Sequence, residues 1–172
     1  MNNQSDIFKS PLGSLTLVAG ERGLRRLYFP GTAPAFFDDF DGDRERVGVA
    51  IEQLDQYFAG ERTVFELPLD YAGTPFQRSV WNELRGIPYG TTTTYGALAR
   101  RLGAQPRAVG AAVGATPIPI IIPCHRVIGM DGSLTGYGGG LPRKRALLDF
   151  EASAGDRAAF DAAWRQRQLA LL

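Results

Sequence analysis

Along the 172 residues the spacing of apolar positions changes period several times, and each change marks an element. Residues 15–18 and 24–29 are short β-prone runs separated by Gly20 and Gly23, the pattern of a hairpin. Val47, Ile51, Leu54 and Phe58 then recur at helical spacing and stop at Gly60, with the acidic stretch 38–46 as a loop or lead-in. Residues 64–69 read as a short strand interrupted by Pro68, and Tyr71-Ala72-Gly73 as a boundary. The next helix carries full start signals: Thr74 is a good N-cap, Pro75 suits the first helical position and Gln77 completes a capping box. Phe76, Val80, Trp81 and Leu84 form its apolar stripe, and Gly86 with Pro88 closes it. A Thr-rich turn at 91–94 leads into a helix over 95–102 ended by Gly103, and Pro106 opens another that runs to Gly114. Two short helices joined by a tight Gly turn predict a helix-turn-helix.

The segment Pro117-Ile118-Pro119-Ile120-Ile121-Ile122-Pro123 follows. Its prolines exclude a regular helix and its isoleucines demand burial, so it is expected to run extended through the core and to deliver Cys124 at its end. Gly129, Gly132, Gly136 and Gly138-Gly139-Gly140 make a loop whose backbone can approach a flat ligand closely. A basic helix start, Arg143-Lys144-Arg145, runs into residues 146–151, and the tail 152–172 reads as helical without chemistry of its own. The expected fold class is α/β, in its α+β form. A small sheet-plus-helix subdomain (1–73) precedes a mainly helical subdomain with the helix-turn-helix (74–151) and the helical tail (152–172).

Charge adds a direction to this layout. The net charge is only +1, yet residues 1–73 hold 7 basic and 12 acidic side chains while residues 74–151 hold 9 basic and 4 acidic. A basic second half points to a local anionic partner. No stretch approaches the roughly 18 apolar residues a membrane span requires, and the start lacks the basic-then-apolar pattern of a signal peptide. A single cysteine rules out an internal disulfide and fits a reducing compartment, so a cytoplasmic location is expected. One cysteine and one histidine are too few for a typical zinc site, and no metal or other cofactor is expected.

The helix after Pro106 is nearly without side-chain bulk, with Ala108, Gly110, Ala111, Ala112 and Gly114. Each helical glycine costs about 1 kcal/mol relative to alanine, so close approach of another backbone, protein or nucleic acid, is expected there. A lone buried cysteine is ordinarily an inert small hydrophobe. Cys124, however, follows a rigid proline, neighbours the chain's single histidine and precedes the glycine-rich loop. A thiol must lose its proton before it attacks, and burial makes that harder, so a base must be at hand. His125 is the one side chain whose unperturbed pKa lies near neutrality. Neighbouring side chains of an extended segment point opposite ways, so a bridging water is easier than a direct Cys–His bond, which would need a turn. A carboxylate to hold the imidazole could come from Glu83, Asp131, Asp149 or Glu151, and spacing does not choose among them.

Pro123-Cys124-His125-Arg126-Val127, preceded by a Pro-x-Pro-Ile-x-Ile run and followed by Gly-Tyr-x-Gly-Gly, resembles the O6-alkylguanine-DNA alkyltransferase family. The resemblance spans residues 73–151 and takes in Phe76-Gln77-x-x-Val80-Trp81, Ile87-Pro88-Tyr89-Gly90 and Thr94-Tyr95-Gly96 in order. The first 70 residues are similar to the family's N-terminal subdomain more loosely, through Leu54-x-x-Tyr57-Phe58-Ala59-Gly60. It implies that Cys124 accepts the alkyl group, that His125 deprotonates it through water and that Glu151 orients the histidine. It further implies that Tyr95 contacts the flipped nucleotide and answers the departing guanine, and that Arg107 enters the duplex where the base has left. Ala108, Gly110 and Ala111 then belong to a recognition helix in the minor groove, where a generic helix-turn-helix would take the major groove; a width of about 6 Å suits the missing side chains. Val113, Val127, Tyr137 and Gly138 are implied to shape the guanine pocket, and Thr116 and Arg126 to support the site.

The implied activity is one-turnover transfer of an alkyl group from O6-alkylguanine in duplex DNA, with O4-alkylthymine as a second candidate substrate, by a monomer that can cluster on DNA. Thr116 departs from the family, which usually has asparagine there; a hydroxyl offers one donor where an amide offers two. That departure keeps a rival in view, a lesion sensor that binds and flags damage without repair. Other rivals are a thiol hydrolase, which leaves Arg107 and the basic half unexplained, and a structural protein with an inert cysteine.

Overall fold

In the computed structural model, which describes residues 6–35 and 44–169, the first apolar runs pair as an antiparallel meander in the order β1 (Asp6–Ser10), β2 (Gly13–Gly20), β3 (Gly23–Tyr28). The expected hairpin is β2–β3, with Leu17 opposite Leu27. A register shift between Val18 and Ala19 breaks the alternation, which lets both residues face the core. Strand β1 was not foreseen: it buries Phe8 but leaves Ile7 exposed, too little alternation to read. Helix α1 (Arg44–Phe58) lays Val47, Ala50, Leu54, Tyr57 and Phe58 against this sheet; Val47, Leu54 and Phe58 are as the spacing predicts, whereas Ile51 is only half-buried. The acidic residues 38–43 expected as its lead-in lie outside the described residues, as do 170–172 of the tail.

The strand expected over 64–69 does not form. Leu69 alone makes a bridge, to Leu24, with Leu24 N donating to Pro68 O and Asp70 N to Leu24 O. Pro68 has no N–H to give a ladder. The backbone of Glu66 is taken instead by the buried Gln53 amide, which donates to its carbonyl and accepts from its N–H at 2.8 Å each.

The chain divides into two compact units, residues 1–72 and 73–172. The second opens with α2 (Pro75–Arg85), where the capping box is complete: Gln77 N donates to Thr74 Oγ1 and Thr74 N to Gln77 Oε1. Helix α3 (Tyr95–Leu102) is capped by Thr94 and stopped by Gly103, whose φ of 59° is the left-handed conformation that ends a helix and turns the chain toward α4 (Pro106–Gly114). Val80, Trp81, Leu84, Leu98, Val109 and Ala112 form the core of this trio. Trp81 Nε1 donates to Ala112 O at 2.9 Å and so pins α4 from within.

Two short features join this unit to the cysteine segment. Strand β4 (Thr93–Thr94), at the threshold of α3, pairs in parallel with β5 (Val127–Ile128), just beyond the cysteine. Between α4 and β5 the 117–123 run is buried but, contrary to expectation, not extended. Ile122 N donates to Ile118 O at 2.9 Å and Ile120 adopts φ 74°. A β-branched residue there carries strain of about 1–3 kcal/mol. An extended run would send alternate side chains to opposite faces, whereas the coil buries Ile118, Ile120, Ile121 and Ile122 together. Helices α5 (Leu141–Ala152) and α6 (Arg157–Leu169) close the unit, joined by edge-on Phe150 and Phe160 and by an Asp149–Arg167 ion pair. The tail is therefore packed on α5.

Candidate active site

The buried coil ends at Pro123, and Cys124–Arg126 form a single 3₁₀ turn, with Arg126 N donating to Pro123 O at 3.0 Å. A turn of three residues splays successive side chains by about 120°. Cys124, His125 and Arg126 therefore leave the backbone in three directions, not the two of an extended strand, and all three are buried.

Of the four carboxylates open to the sequence, the fold selects Glu151. His125 Nε2 lies 2.7 Å from Glu151 Oε1, and Arg126 donates twice to the same carboxylate, Nε to Oε2 at 2.8 Å and a terminal nitrogen to Oε1 at 2.9 Å. Gly90 N donates to Oε2 at 3.3 Å, and Arg126 is held in turn by Ile87 O at 2.6 Å. Gly90 has φ 73°, and a Cβ there would stand 3.3 Å from Glu151 O, so both conformation and closeness call for glycine. The other three carboxylates are engaged elsewhere: Glu83 with Arg101, Asp131 with Ser133 N, and Asp149 with Arg145 and Arg167.

The charge states follow. Burial favours a neutral Glu151, but His125 and Arg126 outweigh it and hold the carboxyl well below its usual range. Burial likewise pushes the His125 pKa down, more than the nearby carboxylate raises it, so the ring is neutral near neutral pH. An ionised carboxylate can only accept, so Nε2 carries the proton and Nδ1 is left with its lone pair. Nδ1 is buried and has no hydrogen-bond partner among the described residues. It is a base with the correct tautomer fixed.

Burial pushes the Cys124 thiol up to about 11, while Thr116, Lys144 and the local backbone pull the other way. Thr116 Oγ1 donates to Val113 O at 2.7 Å, and the same hydroxyl lies where it favours the ionised form of Cys124. Tyr95, at the start of α3, donates to Thr135 O at 3.0 Å, and burial keeps its phenol protonated. Tyr137 is half-buried within electrostatic reach of Cys124, Gly138 is exposed on the same loop, and Val113 and Val127 are buried on either side of the cysteine segment in sequence. Lys144 was missed by sequence reasoning. It is fully buried and donates to Thr135 O at 3.1 Å, to Gly136 O at 3.4 Å and to Tyr95 Oη at 3.5 Å. The sequence signal that could have found it is its place seven residues before Glu151, two turns away on one helix face.

Helix α4 presents a bare outer face. Val109, Ala112 and Val113 point inward, whereas Arg107, Ala108 and Ala111 are exposed and Gly110 is half-buried. A Cβ on Gly114 would meet nothing within 4 Å, and one on Gly110 would make an ordinary 3.9 Å contact with the Tyr95 ring. Packing within the second unit does not require these glycines, so of the two approaches left open by the sequence an external one remains. Arg107 stands in the first turn of this face with no partner among the described residues.

Comparison with known proteins places both units. Residues 75–153 match the family described as 6-O-methylguanine DNA methyltransferase, DNA binding domain, and residues 5–71 match its ribonuclease-like domain. A methylated-DNA–protein-cysteine methyltransferase of Mycobacterium bovis is 48% identical over 152 residues, covering 84% of this chain and 89% of that protein. One from Methanosarcina acetivorans is 46% identical over 151 residues, covering 86% and 97%. Among solved structures, Mycobacterium tuberculosis OGT in complex with DNA superposes with a TM-score of 0.82 at 45% identity, covering 92% of this chain and 96% of that one.

Proposed function

This chain belongs to the 6-O-methylguanine DNA methyltransferase family, and from that premise we propose that it repairs O6-alkylguanine in duplex DNA by moving the alkyl group irreversibly onto Cys124. The observation that carries the assignment of roles is the fixed chain Glu151–His125, which leaves an unprotonated Nδ1 in the buried turn that also holds the lone thiol.

The chemistry follows from that chain. The base stacked in a duplex is out of reach of a buried thiol, so the nucleotide turns out of the helix first, at a cost of a few kcal/mol. The bare face of α4 enters the minor groove, and Arg107 fills the gap left by the base, which offsets part of that cost. His125 Nδ1 takes the thiol proton through a water molecule, and Glu151 stabilises the imidazolium that forms. The thiolate attacks the alkyl carbon: a carbon–sulfur bond forms as the carbon–O6 bond breaks, and the electron pair leaves with guanine. The guanine anion is met by the Tyr95 hydroxyl as hydrogen-bond or proton donor, while Val113, Val127, Tyr137 and Gly138 shape the pocket that holds the base. Arg126 keeps Glu151 in place, and Thr116 supports the cysteine segment. The thioether has no easy leaving chemistry, so each protein acts once, and it does so as a monomer that can cluster on DNA.

The test is a titration of protein against duplex DNA carrying O6-methylguanine. Lesion loss should plateau at one per protein however long the incubation. Continued turnover, or lesion binding with no loss at all, overturns the proposal; the second result is that of a damage sensor.

A further inference from the structure

The loop that carries Tyr137 and Gly138 does little to order itself. Gly138-Gly139-Gly140 is a run of three glycines, the residue with most backbone freedom to lose on ordering. A Cβ on Gly138 would meet nothing within 4 Å, so nothing beyond its chain neighbours packs over it. One backbone bond closes the run, from Gly140 N to Tyr137 O at 2.9 Å. The wall of a pocket that places a reacting base needs firmer restraint, because a misplacement of about 1 Å costs on the order of 100-fold in rate. The further restraint comes from α5: Arg143 Nη1 donates to Gly139 O at 2.9 Å.

Arg143 is itself a long, half-buried side chain with much rotamer freedom to lose. Helix α6 helps to order it. The Arg143 guanidinium lies over the Trp164 ring, 6.0 Å from its centre, where the cation meets the negative face of the aromatic system. Phe160, Trp164 and Arg167 stand four and then three residues apart, on one face of α6. All three contacts of that face land on α5: Phe160 against Phe150 with centroids 5.3 Å apart, Trp164 under Arg143, and Arg167 on Asp149. The match to the family's DNA binding domain ends at residue 153, and α6 begins at Arg157. The helix that reaches back to the glycine run therefore lies outside the domain which that match describes.

We propose that α6 is a brace for the guanine pocket, with Trp164 and Arg143 as positioning residues for the transfer step. Trp164 holds the Arg143 guanidinium, Arg143 holds Gly139 O, and the glycine run is thereby fixed as a wall against the base. This rests on residues 137–138 lining the guanine pocket. Neither residue touches the reacting atoms, and neither takes part in the first docking of duplex DNA on α4.

Hydrogen exchange of the DNA-free protein, followed by mass spectrometry, reads the brace whether or not the protein repairs anything. Trp164→Ala should quicken exchange in the peptide spanning residues 136–141 by about five- to tenfold, the equivalent of one lost cation–π contact, while α2 and α4 exchange as in wild type. In single-turnover kinetics at saturating protein the same variant should transfer the alkyl group from O6-methylguanine about five- to tenfold more slowly, with unchanged affinity for the duplex. Arg143→Met should match it, and the double variant should be no worse than either alone, because both changes break one chain of contacts. Trp164→Phe keeps an aromatic face and should recover most of both effects. Loop exchange that Trp164→Ala leaves unmoved, exchange that rises equally across the whole second unit, or effects that add in the double variant would each overturn the brace. Faster loop exchange with an unchanged transfer constant overturns the positioning role by another route, through the pocket assignment on which it rests.

Discussion

Glu151 accepts from His125, twice from Arg126 and from the Gly90 backbone, and that crowding turns a histidine into a base of fixed tautomer. Glu151→Gln keeps the shape but can present an N–H where an acceptor is needed, freeing the ring to take the wrong tautomer. Transfer at neutral pH should fall by about 100-fold, within the usual range for general-base catalysis, in single-turnover kinetics. Thr116 carries the converse case. Its one hydroxyl proton is given to Val113 O at 2.7 Å, and an asparagine amide would have a second N–H left for the Cys124 thiolate. Thr116→Asn should therefore speed transfer, by about 3- to 10-fold for one added hydrogen bond of about 1 kcal/mol; an unchanged rate sinks that account. At this scale the sequence told much. A lone cysteine after proline, beside the one histidine, was legible because both types are single in the chain. Glu151 was one of four candidates until the fold brought it to 2.7 Å. Lys144 stayed hidden because it sits in a basic run, and nothing in a run of charges tells which member turns inward.

The helices were the most legible elements, since caps and stripes are local signals: Thr74 with Gln77, Gly103 and Pro106 all act where the sequence places them. The failures were elements decided by distant partners. Residues 64–69 lost their ladder to the Gln53 side chain, and the isoleucine run coiled because burial of four side chains outweighed the strain at Ile120. The β4–β5 pair is two residues long on each side and has no period to detect. The bare face of α4 was legible as a composition, but only the empty space over Gly114 shows that the fold itself does not use it. Bulk added to that face should therefore spare the protein and spoil its contact with DNA. Ala111→Leu is expected to keep wild-type thermal stability and iodoacetamide reactivity, yet to lose at least about tenfold in affinity for duplex DNA by fluorescence anisotropy. A drop in stability with no loss of DNA affinity would mean that the face is covered by protein.

Across the whole molecule, the buried titratable groups set a pH window. His125 is held below its ordinary 6.5, so below that pH the unfolded chain takes up a proton that the folded one refuses, and stability falls with acidity. Glu151, also depressed, adds to the loss once the pH drops below its ordinary 4.5. Cys124 is raised from 9.0 to about 11, so its contribution is complete below 9.0 and lost as the pH climbs through 11. Thermal unfolding should thus show greatest stability between about pH 6.5 and 9, with a slope of up to about 1.4 kcal/mol per pH unit setting in below 6.5. His125→Gln should remove that first acid slope, leaving the decline to begin nearer 4.5.

The central claim is that one sulfur takes the alkyl group. Protein incubated with duplex DNA carrying a single O6-methylguanine should gain the mass of one methyl, found by peptide mass spectrometry on the fragment containing Cys124 and absent from Cys124→Ala. Tight, lesion-selective binding with no change in mass, or a methyl on any other residue, would contradict it.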